Sequence, residues 1–140
     1  MNLNKQKTLA AEYAFHGKGL HTGKVSNMVL RPAPVNTGIV FHRTDLGEMA
    51  VVEALAENVS STARSTTISK GEASVATIEH LMSALTGMGV DNAIVEIDNV
   101  EVPILDGSAR YYVEAISKDG LKEQEVGRRY ITIPEEIEVR

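Results

Sequence analysis

The hydrophobic period of the chain changes near Ser74, and this change constrains the fold more than any other feature of the sequence. Between residues 8 and 15, larger apolar residues alternate with smaller or polar ones, which is the period of a strand with one buried face. After Ser74, six apolar residues fall on one face at helical spacing: Val75, Ile78, Leu81, Met82, Leu85 and Met88. A chain that carries both periods is typical of an α+β fold.

Turn-forming residues divide the rest of the chain into short elements. We predict strands at residues 8–15, 25–30, 38–42, 64–69 and 93–97, and an edge strand at 100–105 that tolerates Pro103. We predict one helix from the N-cap Ser74 to the stop signals Gly87 and Gly89, and a second from Asp106 or Ser108 to about Lys118. Residues 44–63 fit no clear pattern. Because short sequential strands favour antiparallel pairing, we expect a two-layer α+β domain, with a mostly antiparallel sheet packed by two helices.

The length of 140 residues is sufficient for one domain. We assign residues 1–127 to that domain. Residues 128–140 contain a short β-like run at 130–133, then Pro134 and an acidic stretch. We expect this tail to be a linker or the start of a second domain.

Charge and composition exclude several classes of function. The 14 Lys and Arg against 19 Asp and Glu give a net charge of −5, and no basic run with interleaved aromatic residues favours nucleic-acid binding. The chain has no cysteine, so any metal site must use His, Asp or Glu. No uncharged stretch approaches the roughly 18 residues of a transmembrane helix, and we expect a soluble, cytoplasmic protein.

The polar side of the predicted helix after Ser74 lacks the long charged residues of a solvated surface. The positions opposite the apolar face are small residues around one histidine: Ala76, His80, Ser83, Ala84 and Gly87. No Lys or Arg lies three or four positions from Glu79, so its carboxylate has no partner along the helix. This face could be approached by a ligand or another domain, or His80 could be a satisfied buried histidine and Glu79 a carboxylate at its rim.

Other candidate residues lie in loops. The segment 16–24 is rich in glycine but lacks the spacing of a phosphate-binding P-loop, and it connects two predicted strands. His16, His21 and His42 could join a metal site or be hydrogen-bonded surface residues. Asp106 could be a catalytic carboxylate or the start of a turn and helix cap.

Four motifs occur together in this order: GKGLHTG at 17–23, LRPAPVNTG at 30–38, TIEHLMSA at 77–84 followed by GVDN at 89–92, and VPILDGS at 102–108. From about Lys5 to Tyr130 the chain closely resembles the amino-terminal domain of the UDP-3-O-acyl-N-acetylglucosamine deacetylases, the zinc enzymes of lipid A biosynthesis. The resemblance implies the first of two similar α+β domains that face each other across an active site.

The resemblance also implies roles for individual residues. His80 would be a zinc ligand and Glu79 the general base, while the other ligands would come from a His-Lys-x-x-Asp motif of the second domain, which these 140 residues do not contain. Thr62 and Ser65 would lie on the substrate side. The expected reaction removes the N-acetyl group of UDP-3-O-acyl-N-acetylglucosamine and releases acetate. The first domain alone should be inactive, and the alternative is a non-catalytic binding or assembly module with the same fold.

Overall fold

The computed structural model describes residues 4–134, 136 and 139. In that part of the chain the strands are β1 (Lys5–Leu9), β2 (Tyr13–Lys18), β3 (Val25–Pro32), β4 (Ile39–Arg43), β5 (Val51–Glu53), β6 (Val59–Ser61), β7 (Thr67–Lys70), β8 (Ala73–Ala76), β9 (Ala93–Ile97) and β10 (Leu121–Gly127), and the helices are α1 (Glu79–Met88) and α2 (Arg110–Ser117). Short 3₁₀ turns cover Thr44–Leu46 and Ala56–Asn58. The predicted α+β class with two helices is confirmed.

The strands form three sheets instead of the one predicted. The largest has the order β2-β3-β9-β4-β5, and β6-β7-β8 and β1-β10 form two smaller sheets. Every strand pair is antiparallel except β4 with β9. The antiparallel prediction is therefore confirmed for all pairs but one.

One face of the five-stranded sheet, one side of each helix and buried residues of β1, β7 and β8 form the core. Along β3, Met28 and Leu30 are fully buried while the alternate residue Asn27 is exposed, as the period of a strand requires. Leu85 of α1 and Tyr112 of α2 are buried in the same cluster. The ring of Phe15 on β2 packs edge-on against Tyr112, with 4.8 Å between the ring centroids. These contacts fix both helices on the sheet.

The predicted N-cap Ser74 is wrong. Residues Ala73–Ala76 form β8 and pair with β7, so the N-cap lies four residues later, at Ile78, and the helix begins at Glu79. The pattern misleads because Val75 is buried in either structure: it fits the helical face of Leu81 and Leu85, and it also fits the alternation of a strand. The later start places Glu79 and His80 in the first turn of α1.

The single strand predicted at residues 8–15 is also wrong. The chain breaks at residues 10–12 into β1 and β2, which belong to different sheets. β1 pairs with β10, and β2 pairs with β3. The larger apolar residues Leu9, Tyr13 and Phe15 are spaced by even numbers of residues, so the alternation continues across the break without revealing it.

Two further differences lie towards the end of the chain. Residues 100–105 form no strand, and their pairing is a single parallel bridge between Glu101 and Ala76. β10 was not predicted, because its residues are mainly polar and exposed and it is held by backbone pairing with β1. The β-like run at 130–133 is not a strand. No helix in the described part of the chain has the length and apolar character to span a membrane.

Candidate active site

Glu79 and His80 are the first two residues of α1, and both side chains are half-buried. Glu79 Oε1 accepts a hydrogen bond from the backbone N–H of Thr66 at 3.1 Å. Across residues 4–134, the Glu79 carboxylate forms no ion pair and the His80 ring forms no hydrogen bond. Both side chains therefore retain unused capacity to bind a proton, a metal ion or a ligand.

The loop between β6 and β7 lies alongside this pair. Besides the bond from Thr66 N–H to Glu79, the Ile78 N–H donates to the Thr66 carbonyl at 3.3 Å. Ser65 is half-buried beside Thr66, whereas Thr62 is exposed further along the loop. Neither side chain forms a hydrogen bond to Glu79 or His80, so the structure brings the segment near the pair without engaging these two residues.

A second carboxylate lies directly behind the helix start and is fully used. Glu101 is 1% exposed and has no cationic partner in the described chain. Its Oε2 accepts from Thr77 Oγ1 at 2.7 Å, its Oε1 accepts from Thr22 N–H at 2.8 Å, and His21 N–H lies 3.1 Å from both oxygens. Burial disfavours the charged form, but these hydrogen bonds outweigh it and hold the pKa of the Glu101 carboxyl below its usual value of 4.5.

The glycine-rich loop before β3 binds this carboxylate. The N–H groups of two successive residues, His21 and Thr22, point at Glu101, an arrangement that favours anions. The loop passes so close that a Cβ on Gly19 would lie 2.2 Å from Glu101 Oε1 and 2.9 Å from Glu101 Cβ. The loop therefore does bind an anion, but the anion is a side chain of the protein.

Thr77 connects Glu101 to the start of α1. Its backbone adopts φ +60°, in the left-handed region that a β-branched residue rarely occupies. The side chain is 1% exposed, and its hydroxyl donates to Glu101. Ile78, the N-cap residue of α1, gives the helix no side-chain cap. The direction of the helix start therefore depends on Thr77 and its neighbours.

The other residues singled out in the sequence have ordinary partners. His16 Nδ1 donates to Asn27 Oδ1 at 2.7 Å, and His42 Nε2 donates to the Gly47 carbonyl at 3.0 Å. Asp106 accepts from the backbone and the hydroxyl of Ser108, at 3.0 and 2.8 Å, so it forms the turn before α2. The His21 side chain is exposed and takes no part in the contact to Glu101.

Glu101, Gly19 and Thr77 are residues of the candidate site that sequence patterns alone do not predict. A signal was present, since Glu101 stands between apolar residues with no Lys or Arg within eight positions on either side. A carboxylate in such a segment needs several hydrogen bonds when it is buried, and a glycine-rich loop elsewhere in the chain is one source of backbone donors.

The donor set at the helix start supports only part of a metal site. The imidazole of His80 has the chemistry of a zinc ligand, and neither of its nitrogens is engaged in the described chain. However, residues 4–134, 136 and 139 contain no group of three or more His, Asp or Glu side chains that could hold a metal ion. His80 therefore fits a zinc site as one ligand among others that these residues do not provide.

Comparison with known proteins identifies the family. The family model described as UDP-3-O-acyl N-acetylglycosamine deacetylase matches residues 6–140. The chain belongs to this family. The match covers all four motifs and both Glu79 and His80.

Individual relatives carry the same name. The UDP-3-O-acyl-N-acetylglucosamine deacetylase of Citrifermentans bemidjiense is 53% identical over 134 residues, which are 96% of this chain and 44% of that protein. The protein of the same name from Teredinibacter turnerae is 48% identical over 97% of this chain and 45% of its own length. A bifunctional enzyme LpxC/FabZ from Porphyromonas gingivalis is 48% identical over 98% of this chain and 30% of its own length. This chain thus spans less than half the length of these deacetylase-family relatives.

Proposed function

We propose that these 140 residues are one part of a zinc-dependent deacetylase that removes the N-acetyl group of UDP-3-O-acyl-N-acetylglucosamine and releases acetate, a step of lipid A biosynthesis. The observation that carries the proposal is the pair at the start of α1. In a chain of this family, Glu79 has one unengaged oxygen and His80 has an unengaged imidazole, in adjacent half-buried positions. The substrate is the one named by the relatives.

Each side chain of the pair has a separate role in this proposal. His80 would hold the zinc ion through one imidazole nitrogen. Zinc, when bound, acts as a Lewis acid toward the amide carbonyl and lowers the pKa of water. Glu79 Oε2, which no described group engages, accepts the proton of the attacking water, and the bond from Thr66 N–H to Oε1 orients the carboxylate. Adjacent helix residues diverge by about 100°, and this angle is compatible with His80 reaching the metal ion while the longer Glu79 side chain reaches the water beside it.

Residues beyond the pair complete the proposed site. The loop that contains Thr62 and Ser65 lies beside Glu79 through Thr66, and we assign these two residues to the substrate side. We assign residues 1–127 to the first domain and residues 128–140 to a linker or the start of the next. The remaining zinc ligands would belong to a second domain of the same polypeptide. A cytoplasmic location stays a prediction.

The proposal is tested by comparing these 140 residues with the complete protein. Zinc content is measured by atomic absorption after dialysis, and acetate release is measured with the UDP-sugar substrate. We expect turnover and about one tightly bound zinc ion in the complete protein, and neither in the 140 residues alone, because one ligand does not hold zinc tightly. Tight zinc or full activity in the 140 residues would contradict the composite site. Absence of turnover in the zinc-loaded complete protein would favour a non-catalytic binding or assembly module.

A further inference from the structure

We propose that the buried carboxylate of Glu101 is a positioning residue for the pair Glu79 and His80, and that it acts through the hydroxyl of Thr77. The proposal rests on the proposed function for the roles of the pair. It concerns two residues, Glu101 and Thr77, that are each 1% exposed and lie behind the pair. Its basis is the set of contacts at the junction between β8 and α1.

The first observation is the conformation of that junction. Thr77 has φ +60° two residues before Glu79, and a β-branched residue adopts this conformation only where its surroundings hold it. The hydrogen bond from Thr77 Oγ1 to Glu101 Oε2 is 2.7 Å long and buried. It is the one polar contact of the Thr77 side chain in the described part of the molecule.

The second observation is that the residues on either side of this bond are tied together as well. Ala76 N–H donates to the Val100 carbonyl at 2.7 Å, and Val102 N–H donates to the Ala76 carbonyl at 3.1 Å. Glu101 therefore lies within a segment that is fixed against the end of β8. On its other side, the carboxylate is fixed by the N–H groups of His21 and Thr22. A rigid support of this kind can hold Thr77 in one orientation.

The third observation is that the start of α1 has no side-chain cap, and its N-cap residue is otherwise held by a backbone bond, from Ile78 N–H to the Thr66 carbonyl at 3.3 Å. The pair occupies the first turn, where helices fray most easily. The bond from Thr66 N–H to Glu79 orients one carboxylate but does not fix His80. The backbone of both residues therefore follows the orientation of Thr77, and Glu101 sets that orientation.

The test uses Thr77→Val in the complete, zinc-loaded protein, with Thr8→Val as the matched control. Thr8 is also a buried threonine, and its hydroxyl donates to the Asn92 carbonyl at 2.6 Å and accepts from Ala33 N–H at 2.9 Å. Both substitutions remove a buried hydroxyl without changing side-chain shape. We expect Thr77→Val to lower kcat by about 10- to 100-fold with KM changed by less than about twofold, and Thr8→Val to leave both unchanged in the folded protein.

Zinc affinity provides a readout that does not depend on turnover. The metal-free protein is titrated with zinc against a chelator. We expect Thr77→Val to weaken zinc binding by about 10-fold because His80 is no longer held in place, while Thr8→Val has no effect. Thr77→Ser keeps the hydroxyl and should restore both kcat and zinc affinity.

Thr77→Gly keeps the proposal testable if the valine variant does not fold. Glycine adopts φ +60° without strain but lacks the hydroxyl, so the proposal predicts the same losses as for Thr77→Val. Wild-type kcat and zinc affinity in Thr77→Gly would overturn it, as would equal losses in the Thr77 and Thr8 variants. Failure of the proposed function is a different result, because the wild-type complete protein would then release no acetate.

Discussion

Two glutamates flank the junction between β8 and α1, and their surroundings are opposite. Glu101 is fully buried and accepts hydrogen bonds from three residues, whereas Glu79 is half-buried and accepts one. A carboxylate whose acceptor sites are filled is held in its charged form and contributes to stability. A carboxylate with an unfilled oxygen is available to a proton or a ligand. One small region therefore contains both a structural carboxylate, Glu101, and a candidate catalytic base, Glu79.

The largest expected effect is on turnover, through Glu79. In the complete protein, Glu79→Ala should lower kcat by about 10²- to 10⁴-fold, the usual contribution of a general base. Zinc content should stay at the wild-type level, because the proposed ligand is His80. Steady-state kinetics and atomic absorption check the two statements.

The second expectation for Glu79→Ala concerns the free energy of unfolding. Glu79 has one hydrogen bond to lose, so Glu79→Ala should change the free energy of unfolding by about 1 kcal/mol or less. A Glu79→Ala protein with wild-type kcat, or one that is strongly destabilised, would remove the distinction between the two glutamates.

The next effect concerns the space around Glu101. Gly19→Ala would place a Cβ 2.2 Å from Glu101 Oε1, so the carboxylate must leave the N–H groups that hold it. We expect a loss of about 2–4 kcal/mol in the free energy of unfolding, measured in urea. Gly87→Ala is the matched control: a Cβ at Gly87 in α1 meets no atom within 4 Å, and this variant should be as stable as wild type or slightly more stable.

The charge of Glu101 gives a smaller and pH-dependent effect. Because the folded-state pKa lies below the usual 4.5, the charged form stabilises the fold above that pH, and the contribution is lost as the pH falls through the folded-state pKa. Glu101→Gln should cost about 1–3 kcal/mol at pH 7. Urea unfolding at pH 7 and at pH 3.5 should show the difference between Glu101→Gln and wild type narrowing at the lower pH. A constant difference would mean that the charge has no role.

A third carboxylate, Asp91, gives the smallest expected effect, and its contribution to the free energy of unfolding is a reference for those of Glu79 and Glu101. Asp91 Oδ2 accepts from Lys7 N–H at 2.7 Å and from Arg128 Nε at 3.0 Å, and its side chain is 27% exposed. Partly exposed ion pairs contribute little. Asp91→Asn should therefore cost about 0.5–1 kcal/mol in urea unfolding. A cost equal to that of Glu101→Gln would show that burial is not what distinguishes Glu101.

Local periodicity was sufficient for the elements that pair or pack with near neighbours. The strands β3, β4 and β9 and the helix α2 lie within about two residues of their predicted bounds. The wrong predictions fall on segments whose structure depends on pairing with another strand. β10 is a strand because it pairs with β1, and residues 73–76 are a strand because they pair with β7. Neither partner is visible in a local window.

For the candidate site, the sequence indicated the pair but not its support. Glu79 and His80 attracted attention because the residues around them are small and uncharged. The contact of Glu101 with Thr77 and the 19–24 loop joins three segments that are far apart in sequence. Only the fold brings such segments together, so no spacing rule could have predicted it.

The pairing of β1 with β10 has a consequence for the order of events during synthesis. Leu9 pairs with Leu121 and Lys5 with Gly127, so β1 leaves the ribosome well before β10, the strand with which it pairs. The five-stranded sheet can close as soon as β9 emerges, since all of its members are then present. Until β10 follows, β1 has an unpaired edge, and such an edge is open to pairing with another nascent chain.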